Sequence, residues 1–250
     1  MNNAFYTGAS GIRAYQWYID IVGHNITNSS TVGFKSTTPE FRELINDNMD
    51  VNINRELPAD SKIKEGNGVR LWHDDLNFTQ GNFQTTDYPL DFLISGDGLF
   101  ALRRDDGTVE FTRNGSFDVS IEGNSAFLVN ADGKYVLDGN YQRIQLDYKP
   151  ESNTIDVEAV KPRLGIFTFT NPNGLTRTDG GSFFESENSG APEIANPNDY
   201  TLFQGSLEAS NVQLSQEMAN LIMAQRSYQI SAKVVTTADE VEQLINSLRG

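Results

Sequence analysis

The two ends of the chain place apolar residues at heptad spacing, and the stretch between them alternates with a period of two. Near the start, Phe5, Gly8, Ile12, Tyr15, Ile19, Val22 and Ile26 follow one another at alternating steps of three and four. Near the end, Leu207, Asn211, Leu214, Met218, Leu221, Gln225, Tyr228, Ala232 and Val235 do the same. Such spacing lines one seam of a helix that needs a partner helix. It predicts a first helix over about residues 4–27 and a second from near Leu207–Ser210 to about Leu248. After Val235 the second pattern runs on through Ala238, Val241, Ile245 and Leu248 with an extra step of three. A slip of that kind overwinds a coiled coil. Gly8 and Gly11 each weaken the first helix by about 1 kcal/mol relative to Ala. They imply close contact with another helix, or a helix that forms only when packed.

Between the helices the signals are those of β-structure. Asn25 to Gly33 is rich in Asn, Ser and Thr, side chains suited to capping a helix end, and Gly33 supplies a turn anchored by Phe34. A short helical turn is expected over Phe41–Asn48 and an extended connector over residues 49–68. From Val69 the pattern alternates, with Leu71 and His73 on one side and Arg70 and Trp72 on the other. Asp106-Gly107, Asn114-Gly115 and Asp132-Gly133 separate short apolar runs and read as hairpin turns, Asn114-Gly115 as type I′. Weaker strands follow at Ile144–Leu146, Ile155–Val157 and Ile166–Phe169, and residues 171–200 read as loops. The fold class is α+β, mostly β, with helical ends on an all-β body.

Composition narrows the function. A formal net charge of −15 argues against nucleic acid, which requires basic patches, and against an anionic membrane surface. The chain has no cysteine, which excludes disulfides and thiolate chemistry. No run approaches the ~20 apolar residues of a membrane span, and the first residues lack the basic and apolar regions of a cleaved leader. Gly96-Asp97-Gly98-Leu99-Phe100-Ala101 fits a loose dinucleotide pattern, but strand and turn signals follow where the chemistry needs a helix. Asp105-Asp106-Gly107 and Asn130-Ala131-Asp132-Gly133 lack the ligand alternation of a calcium loop. The two histidines, His24 and His73, have no zinc spacing, and no nucleophile elbow occurs. No cofactor, metal or active site is expected.

Four stretches resemble the bacterial flagellar rod and hook proteins of the axial structure. They are Asn25-Ile26-Thr27-Asn28-Ser29-Ser30-Thr31-Val32-Gly33-Phe34-Lys35, Leu90 to Phe100, Phe111-Thr112-Arg113-Asn114-Gly115-Ser116-Phe117, and Gln204 to Val212 continued through Glu217-Met218, Gln225-Arg226-Ser227-Tyr228, Lys233 and Asp239. The first residues look like a proximal rod subunit and the last like a distal one. The resemblance implies a discontinuous helical coiled-coil domain built from both termini (residues 1–35 and 203–250), an extended connector (36–68) and a central β-domain (69–202). It implies a mechanical, non-enzymatic subunit that polymerises into a helical tube, transmits torque and lines the export channel. Its partners would be copies of itself, other flagellar axial subunits and the flagellar type III export apparatus. It would lie in the basal body, outside the cytoplasm, exported without leader cleavage and not inserted in the membrane. The expected subunit interface comprises Ile12, Tyr15, Ile19, Val22, Ile26, Asn28, Gly33, Phe34, Arg113, Leu214, Met218, Leu221, Gln225, Tyr228 and Val235. Arg113 is expected at a contact between subunits or domains, beside its hairpin turn. The competing readings are an acidic β-domain that binds a ligand or glycan and oligomerises through its helices, and a hydrolase using Asp and Glu.

Overall fold

A computed structural model describes residues 3–44, 47–48, 64–123, 125–146, 148–149, 154–155 and 160–249. The chain forms two compact units, one of Met1–Thr27, Thr37–Asp75 and Gln213–Gly250, the other of Asn28–Ser36 and Leu76–Val212. These limits differ from the expected partition. Residues 28–35 and 203–212 belong with the β unit, and 37–75 belong with the helices. Most of the connector expected over residues 49–68 lies outside the described residues.

In the helical unit, α1 (Asn3–Thr27) packs against α2 (Leu214–Arg249). The pair is antiparallel, since Gly8 lies against Val235, Gly11 against Ser231, and Asn25 bonds Glu217. The α1 seam runs Gly8, Gly11, Tyr15, Tyr18, Val22, Asn25, and the α2 seam Glu217, Leu221, Ala224, Tyr228, Ser231, Val235, Ala238, all buried or half-buried. Each expected heptad therefore shares one track with the observed seam: Gly8, Tyr15 and Val22 on α1, and Leu221, Tyr228 and Val235 on α2. The other track is displaced by one residue on both helices. Gly11, Tyr18 and Asn25 stand where Ile12, Ile19 and Ile26 were expected; Glu217, Ala224 and Ser231 replace Met218, Gln225 and Ala232.

The reason is closeness. A Cβ on Gly8 would come 2.7 Å from Val235 Cγ2, and one on Gly11 would come 2.8 Å from Ser231 Oγ. Backbones so near admit only small residues between them, and larger ones turn to the flanks. With this seam the step of three from Val235 to Ala238 is regular, so the expected slip is absent. The second helix also starts later than expected. Leu207 lies in the strand Ser206–Glu208, where it is buried, and Asn211 lies in the loop before α2.

The expected helical turn at Phe41–Asn48 is overturned as well. Thr37–Glu43 is a strand, paired with Val69–Leu76, and its Pro39 and two threonines disfavour helix. Phe41 packs its ring on Tyr15 and Tyr18 of α1, at 5.9 and 5.5 Å between centroids.

The β unit contains an antiparallel sheet organised around Leu99–Arg103. One edge of that strand pairs with Val109–Thr112; Tyr135–Val136 and Ile166–Thr168 share the other. Phe100 and Leu102 enter one apolar cluster with Phe92, Phe117 and Leu128, and Leu99 and Ala101 enter another with Phe111, Phe167 and Phe183. Burial on both faces explains why this stretch is continuously apolar instead of alternating.

The hairpins expected at Asp106-Gly107 and Asp132-Gly133 are present, with Gly107 and Gly133 at positive φ. Asn114-Gly115 is not a hairpin. Val109–Thr112 pairs with Leu99–Arg103 and Ser182–Phe184, whereas Phe117–Glu122 pairs with Ser125–Asn130. Neither residue has the positive φ of a type I′ turn. Gly115 is required for another reason: a Cβ there would lie 1.8 Å from the Phe92 carbonyl oxygen. The segment expected to be loops also holds the short strands Thr176–Arg177, Ser182–Phe184 and Glu193–Ile194.

The seam makes a paired prediction. Gly8→Val should cost about 1–3 kcal/mol by overpacking. Gly23→Ala, where an added Cβ meets nothing within 4 Å, should stabilise by up to about 1 kcal/mol. Thermal melts followed by circular dichroism at a helical wavelength would check both signs.

Candidate functional site

Three of the stretches that carry the sequence resemblance converge inside the β unit. Lys35 follows the turn after α1, Arg113 ends the strand Val109–Thr112, and Glu208 ends the strand Ser206–Glu208. All three side chains are at most 5% exposed. Lys35 Nζ donates to Glu208 Oε1 at 2.7 Å and Arg113 Nε to Glu208 Oε2 at 2.5 Å, while the Gly81 N–H donates to Oε1 at 2.8 Å. The remaining donors are used too. Lys35 reaches the carbonyls of Phe78 and Thr79 at 3.3 and 2.9 Å, and Arg113 reaches those of Ile94 and Gly96, both at 2.7 Å, and that of Gly98.

The backbone reinforces this node. Gly33 has φ +68°, and a Cβ there would lie 2.6 Å from the Asn114 nitrogen. Its N–H donates to the Glu208 carbonyl at 2.7 Å. The buried Phe34 ring lies under the Arg177 guanidinium, 4.7 Å from its centroid, and Arg177 donates to the Lys35 carbonyl. Asn211 accepts the Ser36 N–H at 2.8 Å and donates to the carbonyls of Asn77 and Thr79. Burial alone pushes the Glu208 carboxyl up, but Arg113, Lys35 and their hydrogen bonds outweigh it and hold it below the ordinary carboxylate value. For Lys35 burial dominates and pulls the ammonium below the usual lysine value, against the attraction of Glu208.

Arg113 is thus a buried bracket within one compact unit, and it joins the expected β-domain to Glu208 of the 203–250 segment. Of the other expected interface residues, Val22, Gly33 and Phe34 are buried; Ile12, Tyr15, Ile19, Ile26, Asn28, Leu221, Tyr228 and Val235 are half-buried; and Leu214, Met218 and Gln225 are exposed. Sequence reasoning missed Glu208 as the common partner of Lys35 and Arg113. It also missed Ile222, Met223, Ile230 and Leu244, large apolar residues of α2 left in solvent. Their signal was present as apolar positions outside the chosen seam.

Comparison with known proteins places the chain in a family. Residues 93–160 match the family described as "Flagellar hook protein FlgE/F/G D1 domain", and residues 204–248 match "Flagellar basal body rod FlgEFG protein C-terminal". The flagellar basal-body rod protein FlgG of Bacillus subtilis is 32% identical, with all of both chains covered. The FlgG of Borreliella burgdorferi is also 32% identical, over 100% of this chain and 99% of its own. The flagellar hook-basal body complex protein FlhP of B. subtilis is 31% identical over the whole of both chains. The chain belongs to the flagellar basal-body rod protein family. It is a structural protein, not an enzyme.

The node sets the sign of two effects. Glu208→Gln strands two buried cations and should cost about 3–5 kcal/mol. Lys35→Met leaves a one-to-one Glu208–Arg113 pair and should cost less. Because the folded-state value of Glu208 is depressed, its contribution is complete above the ordinary glutamate value of 4.5 and lost as pH falls through the lowered value. Urea unfolding across an acid pH series should show that loss in the wild type and not in Glu208→Gln.

Proposed function

We propose that this chain is a subunit of the FlgG type that polymerises through the outer faces of α1 and α2 into the helical tube of the flagellar rod. The observation that carries this reading is the apolar surface left on α2 after it has paired with α1. Met218, Ile222, Met223 and Ile230 are 51–63% exposed, and Val241, Leu244, Ile245 and Leu248 extend the surface to the end of the helix. Phe5, Tyr6 and Trp17 add exposed rings on α1. Contiguous apolar residues on a helix already packed along another face are the mark of a docking surface. Copies of the same helices are the natural occupants, since relatives named as rod proteins align along the whole chain.

The subunit-contact roles of Leu214, Met218 and Gln225 fit this surface, and the half-buried flank residues Ile12, Ile19 and Ile26 border it. Among the described residues no helix is long and apolar enough to cross a membrane. We place the chain outside the cytoplasm in the basal body, delivered by the flagellar type III export apparatus and joined end to end with other axial subunits. There it transmits torque and lines the export channel. No specific observation favours the glycan-binding reading.

Electron microscopy and sedimentation of concentrated protein test the proposal. The wild type should form tubes or fibres. Ile222→Glu combined with Ile230→Glu should stay monomeric with an unchanged circular dichroism spectrum. Equal assembly of the double variant would refute the α2 surface as the polymerisation face.

A further inference from the structure

The strand pair of the helical unit brings together one imidazole and two carboxylates. His73 Nε2 lies 3.0 Å from Asp75 Oδ1 and 3.3 Å from Glu40 Oε2, and one donor atom of each residue lies within 4.8 Å of the others. His73 and Asp75 stand two apart on Val69–Leu76 and so face the same way, while Glu40 projects from the paired strand Thr37–Glu43. All three are 43–44% exposed, open to ions from solvent.

Oxygens of Asp75 and Glu40 converge on the same Nε2 from two strands. A divalent cation placed among them would take the Nε2 lone pair and one oxygen from each carboxylate. With metal–ligand bonds of about 2.1 Å, the two observed separations subtend roughly 90–105° at an ion, within the range from octahedral to tetrahedral coordination. Glu40 is also steadied from behind. Its other oxygen, Oε1, lies 3.4 Å from Arg42 Nε, and the Arg42 guanidinium rests 4.4 Å from the centre of the Trp72 ring. Outer partners of this kind fix the orientation of a ligating carboxylate.

We propose that Glu40, His73 and Asp75 form a surface site for a divalent transition-metal ion, with solvent completing its coordination. One imidazole and two carboxylates, without thiolate, suit Zn²⁺ or Co²⁺. The spacing rule that argued against zinc looked for two histidines on one helix. Here strand pairing supplies the carboxylates to a single histidine.

Calorimetric titration of the full chain with ZnCl₂, paired with proton NMR of the imidazole signals, tests this site. The chain has two histidines, so loss of one signal in His73→Ala assigns both. The expected result is one equivalent bound in the micromolar range, with the His73 signal moving and the His24 signal still. His73→Ala and Glu40→Gln should each weaken binding by about tenfold or more, and Asp74→Asn, on the opposite strand face, should not. The proposal is overturned by no binding at millimolar Zn²⁺, by an unmoved His73 signal, by unchanged affinity in His73→Ala, or by an equal loss in Asp74→Asn.

Discussion

Glu208 offers two carboxylate oxygens and spends both on buried cations, and the segments around it are placed by where those cations begin. Lys35 draws in the turn after α1 and, through its other donors, the carbonyls of Phe78 and Thr79. Arg113 draws in the reversal between Phe92–Gly96 and Leu99–Arg103 through carbonyls at 94, 96 and 98. Taking three charges out of water costs several kcal/mol each, and attraction repays it only when the remaining hydrogen bonds are also made. A half-formed version is worse than an apolar core. The node therefore works as a test of register: these distant stretches either meet in one arrangement or not at all.

The helical unit obeys a different economy. Its seam includes Gly8, Gly11, Ala224, Ser231 and Ala238, residues that bury little area but let two backbones come close. Large apolar side chains are left on the outer faces, where Ile222 and Ile230 are 55 and 63% exposed. Hydrophobic stabilisation scales with the apolar area removed from water. The apolar area on those outer faces is therefore not used by the intramolecular pair.

The existence of both helices, the β character of the middle and the turns at Gly107 and Gly133 were legible because each has a local cause: periodicity, alternation, or a glycine at positive φ. The seam was only half legible. Two heptad tracks that share Gly8, Tyr15 and Val22 differ by one residue in the other track, and a reading that favours large apolar residues selects the isoleucines. Only the distance between backbones decides for Gly11 and Asn25, and that distance belongs to the partner helix. Asn114-Gly115 failed for a related reason. Its local preference for a hairpin was overridden by the crossing at Phe92, which the dipeptide does not encode. Lys35, Arg113 and Glu208 were each visible inside a family-like stretch, but nothing in a linear chain says that one carboxylate joins them.

Asn25 shows how the narrow seam is kept in register. It is 1% exposed, donates to Thr37 O at 2.9 Å and Glu217 Oε1 at 3.3 Å, and accepts the Thr37 N–H at 3.0 Å. A buried amide in a helical seam lowers stability relative to an apolar residue but rejects registers that leave it unpaired. Sliding α1 by one turn along α2 would carry Asn25 away from Glu217 and set Gly11 against Tyr228 or Val235 in place of Ser231, where the larger side chain would collide. The polar clamp at one end and the close approach at the other thus penalise the same error by different means. A pair specified in this way owes its register to these two contacts and not to the amount of apolar area buried between the helices.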